Sequence, residues 1–482
     1  MTSDLLKIDT KQRFKLAELF PKSPQLDLLL TTIAKASGKG VLVGGCVRDH
    51  LLGHVAKDID VEVYGLQSKT LEHVLTKNFS VIAVGKTFGI FKVSVVVNGE
   101  KQSFDVALPR SENKSGSGHR GFVVSTDPYM PFAAASSRRD FTINAMGIDP
   151  ETNELLDPHG GAKDLAEHRL KHVSDAFQED PLRVLRAAQF CARFDLTLDE
   201  KTGELCRTLK NELLTLSRER IYEEMKKLLL AKMPSIGLAV LRQTDALILF
   251  PELQALIGCP QDEEWHPEGD VWIHSLMVAD QAAQIVARSE LLEEDKLIVM
   301  AGALCHDFGK PATTMVKDGR IKSPGHEQAG EEPTRQFLAN MGFPKKLHED
   351  VVELVREHLK PHQLYSKREE VSDGAIRRLS ARVNIERLLM VAKADFLGRT
   401  TEDALLGNDP SEEWLRQKIK DLLGPDLRPR PIILGRHLIA LGQQPGLHFA
   451  TVLHDAFQAQ MDGEFSDEES GLVWLKNRLQ VK

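Results

Sequence analysis

Residues 41–64 read VLVGGCVRDHLLGHVAKDIDVEVY. An apolar, β-branched run ends at Gly44-Gly45, and a helical pattern starts near Val47. A strand that turns through two glycines into a helix lets backbone N–H groups approach a phosphate, and the helix N-terminus adds favourable dipole charge. Arg48, one turn into that helix, carries a planar fork suited to phosphate oxygens. Asp58 and Asp60 stand two apart on the next strand, an arrangement that aims both carboxylates at one face. Neighbouring carboxylates repel, and a hard divalent cation such as Mg2+ relieves the repulsion. A third acid, Asp105 in SFDVAL (103–108), falls on a later strand that can join the same sheet. Alone, a glycine pair is ordinarily a turn and D-x-D a solvated strand face. Together, with Arg48 between them, they predict a metal-assisted phosphoryl-transfer site.

Working outward, short strand patterns recur from Gly40 through SFDVAL, with a helical stretch at Lys69–Asn78 between them. This predicts a small mixed sheet that ends near the loop Asp157–Gly161. The segment 105–138 is rich in turn residues (SENKSGSGHRG, Pro128, Pro131, AAASS) and reads as a mobile loop. After residue 162 the strands are expected to stop. Helical periodicity runs from LAEHRL to LRQTDALILF, where Pro251 closes the block. A polar break, GCPQDEEWHPEGD (258–270), and a proline-rich passage, GPDLRPRPI (424–432), mark further boundaries. The resulting division is an N-terminal helical extension (1–38), a head (39–165), a helical neck and body (166–262), a His-rich helical domain (263–400) and a helical tail (401–482).

Composition narrows the classes. Over 482 residues, 42% are hydrophobic and 27% charged, a balance that builds cores and excludes disorder as the main state. The net charge of −8 excludes an overall polybasic coat, although a local basic groove around the neck stays compatible with it. Five scattered cysteines with no C-x-x-C pair argue against a disulfide framework. The first twenty residues are too densely charged for a signal peptide, and the longest apolar run, Leu297–Cys305, is too short for a membrane span. A cytoplasmic protein with no membrane partner is the expectation.

Two more stretches carry candidate chemistry. In SSRRDFTINAMGID, Arg138, Arg139 and Asn144 offer a triphosphate or sugar contact, or else a salt-bridged turn. HVSDAFQEDPLRVLRAAQFCARF (172–194) reads as one helix on which Asp180, Arg183 and Arg186 share a face beside an apolar stripe. Further on, LCHDFGK (304–310) carries an apolar helix into His306-Asp307, with His274 on an earlier helix. Neutral imidazoles with a carboxylate suit a transition metal that can activate water.

The ordered run GGCVRD, DID, RRDFTINAM, DPHGG and EDPLRVLRAAQF, matching near-continuously over about residues 40–260, resembles the class II tRNA nucleotidyltransferases. That family comprises CCA-adding enzymes and bacterial poly(A) polymerases, of the DNA polymerase β-like kind. The resemblance implies a multidomain α+β fold, with a small mixed-sheet head followed by all-α segments. It implies that Gly45 and Arg48 hold the nucleotide phosphates and that Asp58 and Asp60 bind Mg2+; the residue pattern itself adds Gly44 to the phosphate turn and Asp105 as a third catalytic acid. Arg139 would contact the incoming nucleotide, Asp180 and Arg183 would read its base, and Arg186 would support it. Protein side chains then serve as template, with CTP, ATP and a tRNA 3′ end as partners. Where relatives often carry an acidic, leucine-containing stretch, this chain has MPFAAASS, so partial addition or poly(A) synthesis stays an alternative to full CCA addition.

WHPEGDVWIHSLM, HDFGK and ADFLGRT resemble the HD-domain metal-dependent phosphohydrolases. By that resemblance His274, His306, Asp307 and Asp395 hold a divalent transition metal. Lys310 would steady a phosphate, and His326 and His358 a second metal or a phosphate. A non-catalytic RNA-binding or nucleotide-sensing protein is the rival from another class, and monomer and homodimer are both open.

Overall fold

The computed structural model describes residues 23–56, 58–85, 90–114, 122–424 and 427–480. It divides into two compact units, one running to Glu224 and taking in Ile236–Leu249, the other formed by Met225–Ser235 and Phe250 onward.

The first unit is built on a seven-stranded sheet. In chain order its strands are β1 (Lys39–Val43), β2 (Asp60–Tyr64), β3 (Ser80–Gly85), β4 (Ile90–Val97), β5 (Glu100–Ala107), β6 (Gly147–Asp149) and β7 (Glu154–Leu156). Their spatial order is β3-β4-β5-β2-β1-β6-β7. Only β2 and β5 pair in parallel, with Asp60 opposite Asp105. Burial alternates along β2: Val61 and Val63 enter the core while Asp60, Glu62 and Tyr64 face away from it. This is the period of two that a half-buried strand requires. Helix α1 (Pro24–Lys35) buries Leu26, Leu29 and Ile33 and packs on β4 and β1. Helix α2 (Gly45–Leu51) follows the glycine turn and α3 (Ser68–Asn78) buries Leu71 and Leu75.

Several expectations are corrected here. Asp58 is not on a strand; it lies exposed in the bend before β2. The segment read as a mobile loop pairs as a hairpin, Arg110–Lys114 with Phe122–Thr126, and its AAAS run forms a short helix, Phe132–Ser136. Residues 115–121 lie outside the described residues, as do residues 1–22 of the N-terminal extension. Strand pairing also continues past residue 162, in Arg169–Leu170 with Thr197–Leu198 and in Met315–Lys317 with Arg320–Lys322. Pro251 opens a short helix, Pro251–Gln254, since a missing N–H costs nothing at the first helical position.

The predicted long helix 172–194 is broken. A 3-10 turn, Asp175–Glu179, ends at Asp180, whose backbone is extended (φ −133°, ψ 107°), and helix α4 is Leu182–Phe194. Pro181 explains the break, because the residue before proline is driven out of the helical region. Asp180 therefore precedes the helix that carries Arg183 and Arg186.

The second unit is helical. Helices α5 (Val271–Ala287), α7 (His348–Glu357) and α8 (Ile385–Leu397) surround α6 (Glu293–Cys305), whose residues Leu297–Cys305 are all buried. The apolar run is thus a bundle core. Its chain continues into Pro410–Leu423 and a small three-helix module with its own core of Ile433, Leu438, Val452, Phe465 and Leu475. Among the described residues no helix is long and apolar enough to cross a membrane.

Candidate active sites

In the first unit, Gly44, Gly45, Arg48, Asp60, Asp105, Arg139, Asp180, Arg183 and Arg186 all line one cavity of about 1010 Å3. Gly44 has φ +77°, and a Cβ there would sit 2.8 Å from Arg139 Nη1. The positive φ is what favours glycine, since the arginine tip could move aside. Arg139 lies over this turn, donating to the Asn144 carbonyl (3.2 Å) and pairing with Glu62 (3.7 Å). Tyr64 Oη donates to the same Glu62 at 2.5 Å.

Asp58 is the predicted site residue that does not line the cavity. Nor do the three acids close into one ligand set: among the described residues, trios with donor atoms all within 4.8 Å of one another occur only in the helical unit. Repulsion is visible in the titration of Asp60. Burial raises its carboxyl above the ordinary value, Arg139 draws it down, and Asp105, Asp58 and Glu62 push it up. A carboxylate raised by three others is a fit for a hard cation.

Arg48 is buried, donating to Asn144 Oδ1 (2.6 Å) and Asp49 Oδ1 (2.6 Å), and its guanidinium lies over Phe194, 4.4 Å from the ring centre. Asp140 is the hub that sequence reading missed. Its carboxylate accepts from Arg186 Nε (2.7 Å), Asn144 Nδ2 (3.1 Å) and the Phe141 N–H (2.8 Å). Burial alone would raise that carboxyl, but Arg186 and Asn144 hold it below its ordinary value. Asp140 thereby joins the RRDFTIN turn to α4. Asp180 Oδ1 accepts from the Leu182 N–H (3.1 Å) and Oδ2 from Arg220 (2.7 Å). Arg183 donates to the carbonyls of Ala176 (2.6 Å) and Arg138 (2.8 Å). DPHGG is structural: Asp157 accepts from the Gly161 and Ala162 N–H groups, and a Cβ at Gly161 would collide with the Thr142 carbonyl at 2.1 Å. Of the neck bases expected to form a groove, Lys210, Arg220 and Lys226 are held in ion pairs.

In the second unit the predicted ligands converge. One trio is His274, His306 and Asp395; another is Asp307, His326 and His358; all are buried. The Nδ1 atoms of His306, His326 and His358 lie 2.8, 2.8 and 2.6 Å from the carbonyls of Ala303, Ser323 and Val355. A carbonyl accepts only, so each Nδ1 carries the proton and each Nε2 presents a lone pair. Yet Nε2 of His306 is 3.3 Å from that of His274, and Nε2 of His326 is 3.4 Å from that of His358. Lone pairs facing each other at that distance need a cation between them or nearby. Asp307 spans both trios, Oδ2 lying 3.2 Å from His306 and Oδ1 3.3 Å from His326. Its buried Oδ2 has no well-directed hydrogen bond, although Lys310 Nζ stands 2.7 Å away. This donor set fits a divalent metal, and its bridging carboxylate fits two.

Burial pushes His358 down to about 3, keeping it neutral. Burial would raise Asp307 and Asp395, but the cations beside them, Lys310 and Arg399, hold them well below the carboxylate range. A cavity of about 230 Å3 opens onto Asp307, Lys310, His326, His358 and Asp395, walled by Gln261, Trp265, His266, Ile321 and Arg399.

Comparison with known proteins follows the same division. Residues 41–171 match the poly A polymerase head domain, 195–257 the probable RNA and SrmB-binding site of polymerase A, and 271–399 the HD domain. A multifunctional CCA protein of Stenotrophomonas maltophilia is 39% identical over 372 residues, covering 74% of this chain and 86% of the relative. The chain belongs to the multifunctional CCA protein family. Another member, from Xanthomonas euvesicatoria, is 40% identical over 74% of this chain and 85% of its own length. The fold is shared more widely than the sequence. A Bacillus stearothermophilus CCA-adding enzyme in complex with CTP superposes with a TM-score of 0.63 at 22% identity, covering 95% of this chain and 98% of that one. A Thermotoga maritima CCA-adding enzyme complexed with tRNA gives 0.58 at 20% identity, covering 97% and 99%.

Proposed function

We propose that this chain adds C, C and A to tRNA 3′ ends from CTP and ATP, through the segments 39–165 and 166–262, as a cytoplasmic enzyme. The observation that carries this is one cavity lined both by Asp60 and Asp105, on adjacent parallel strands, and by Asp180 and Arg183. Asp60 and Asp58 would hold Mg2+, with Asp105 opposite Asp60 as a third acid, and the bound ion would stabilise charge on the phosphoryl oxygens. Gly44, Gly45 and Arg48 seat the phosphates, and Arg139 contacts the nucleotide.

The base is read by Asp180 and Arg183, each fixed before any nucleotide arrives. Asp180 is held by the Leu182 N–H and Arg220, Arg183 by two carbonyls, and Arg186 is locked to Asp140. A carboxylate accepts from the amino group of C or A, and a guanidinium donates to their ring acceptors. G and U set a carbonyl against the carboxylate, leaving a charged group unpaired, which supports strong discrimination.

In the HD module, residues 263–400, His274, His306, Asp307 and Asp395 hold a divalent transition metal. The second trio, with Asp307 shared, supports a second metal or a substrate phosphate at His326 and His358, beside Lys310. A bound metal there supplies activated water for phosphoester hydrolysis. Products of a tRNA lacking its 3′ end, resolved nucleotide by nucleotide with labelled CTP and ATP, test the reading. A product ending at CCA is expected; a stop after one type of nucleotide, or a lengthening A tail, replaces it with partial addition or poly(A) synthesis.

A further inference from the structure

Glu268 belongs to neither set of residues described so far, yet its side chain is only 1% exposed. It lies in the HPEGD turn ahead of α5. Its Oε1 is hydrogen-bonded to His266 Nδ1 (2.9 Å) and lies 2.8 Å from His274 Nδ1, a close charge contact without hydrogen-bond direction. Its Oε2 accepts from the Thr400 N–H (3.1 Å) and from Thr400 Oγ1 (3.4 Å). Thr400 follows Arg399, whose guanidinium pairs with Asp395 Oδ2 at 2.9 Å. One buried carboxylate thus reaches the rear of His274 and the chain just beyond Asp395. The His266 ring packs edge-on against His274, with centroids 4.6 Å apart.

We infer that Glu268 is a positioning residue of the HD site, fixing His274 as a ligand through Nε2. This rests on the metal-binding reading above. A neutral imidazole has one N–H and one lone pair. With the Glu268 carboxylate 2.8 Å from Nδ1, electrostatics favours the ring proton there, which leaves the lone pair of His274 on Nε2, 3.1 Å from Asp395 Oδ1 and facing His306. A carboxylate behind a ligand histidine fixes its ring angle and raises its basicity. His266, Glu268 and His274 also lie close enough to be taken for a separate metal trio. That arrangement would need both nitrogens of His274 to bind metal, which a neutral ring cannot do. Glutamine is a poor replacement: if its carbonyl accepts from the imidazoles, its NH2 meets the Thr400 N–H, donor against donor.

Cobalt(II) titration of the full chain, with chelator competition and the visible spectrum of the bound ion, tests this. Glu268→Gln is expected to weaken cobalt binding by roughly 10–100-fold and to alter the spectrum, with Glu268→Asp between it and wild type. His266→Ala is expected to keep every metal equivalent, because its ring contacts Glu268 and His274 and is not itself a ligand. Far-UV circular dichroism and urea unfolding of the same preparations report that each variant is folded. Wild-type affinity in a folded Glu268→Gln protein overturns the inference. So does loss of one whole metal equivalent in both Glu268→Gln and His266→Ala, which would make the trio a ligand set. A wild-type chain that binds no cobalt overturns the HD reading itself.

Discussion

The two candidate sites handle repelling charge in opposite ways. In the helical unit the six ligand side chains are buried and gathered into two trios, with imidazole protons held on Nδ1 by carbonyls. In the sheet unit Asp105 is exposed, Asp58 stands outside the cavity, and Asp60 alone is partly buried. The cavities differ likewise, about 230 Å3 against about 1010 Å3. Neutral imidazoles carry no net charge, so gathering them costs less than gathering three carboxylates. Preorganisation in the sheet unit is therefore spent elsewhere, on the guanidiniums of Arg48, Arg183 and Arg186, each fixed by oxygen acceptors.

Substitutions can break this contrast. Asp60→Ala should lower nucleotide incorporation by about a thousandfold or more, the loss of several kcal/mol of transition-state stabilisation, while leaving phosphodiesterase activity intact. Incorporation at the wild-type rate would remove the sheet site from the chemistry. His306→Ala is expected to abolish metal-dependent phosphodiester hydrolysis and spare CCA addition. If both activities fell in a folded variant, the two sites would not be independent.

Arg183→Ala sharpens the template side. It should reduce the preference for C and A over G and U by roughly 10–100-fold, the worth of a buried charged hydrogen bond, without changing the Mg2+ dependence. Unaltered selectivity in a competition assay would shift the reading of the base to other residues. Asp140→Ala probes the hub beneath that helix and should destabilise the unit by about 3–5 kcal/mol, because Arg186 loses its buried partner. Its carboxyl titrates below the ordinary 3.8 in the folded chain, so its contribution is complete above that pH and fades as pH falls through the folded value. Urea midpoints of wild type and variant should therefore converge on acidification; a gap that persists in acid would mean the pair is not what Asp140 contributes.

Much of this was legible because the chemistry clusters in short motifs. Gly44-Gly45, Asp60 opposite Asp105, and the His306-Asp307 pair follow from local pattern and fall where expected. The errors are instructive. The helix read over 172–194 ignored Pro181, so Asp180 was placed on a face it does not share. Turn-rich composition hid the hairpin flanking 115–121, since its pairing partners alone give those residues a strand. Glu268 passed unremarked and Asp140 was given no part as a hub, as an acid in sequence does not announce what surrounds it.

The order of residues alone determined which chemical groups are available and which backbone turns are permitted, because glycine at positive φ, proline at a helix start and alternation along β2 are local constraints. Only the folded chain decided which acids became ligands and which became anchors. Asp58 and Asp60 are two residues apart yet differ in exposure, while Glu268 and Thr400, far apart in sequence, share a hydrogen bond. Desolvation and partner geometry set the role of a charged side chain, and both come from packing between distant segments.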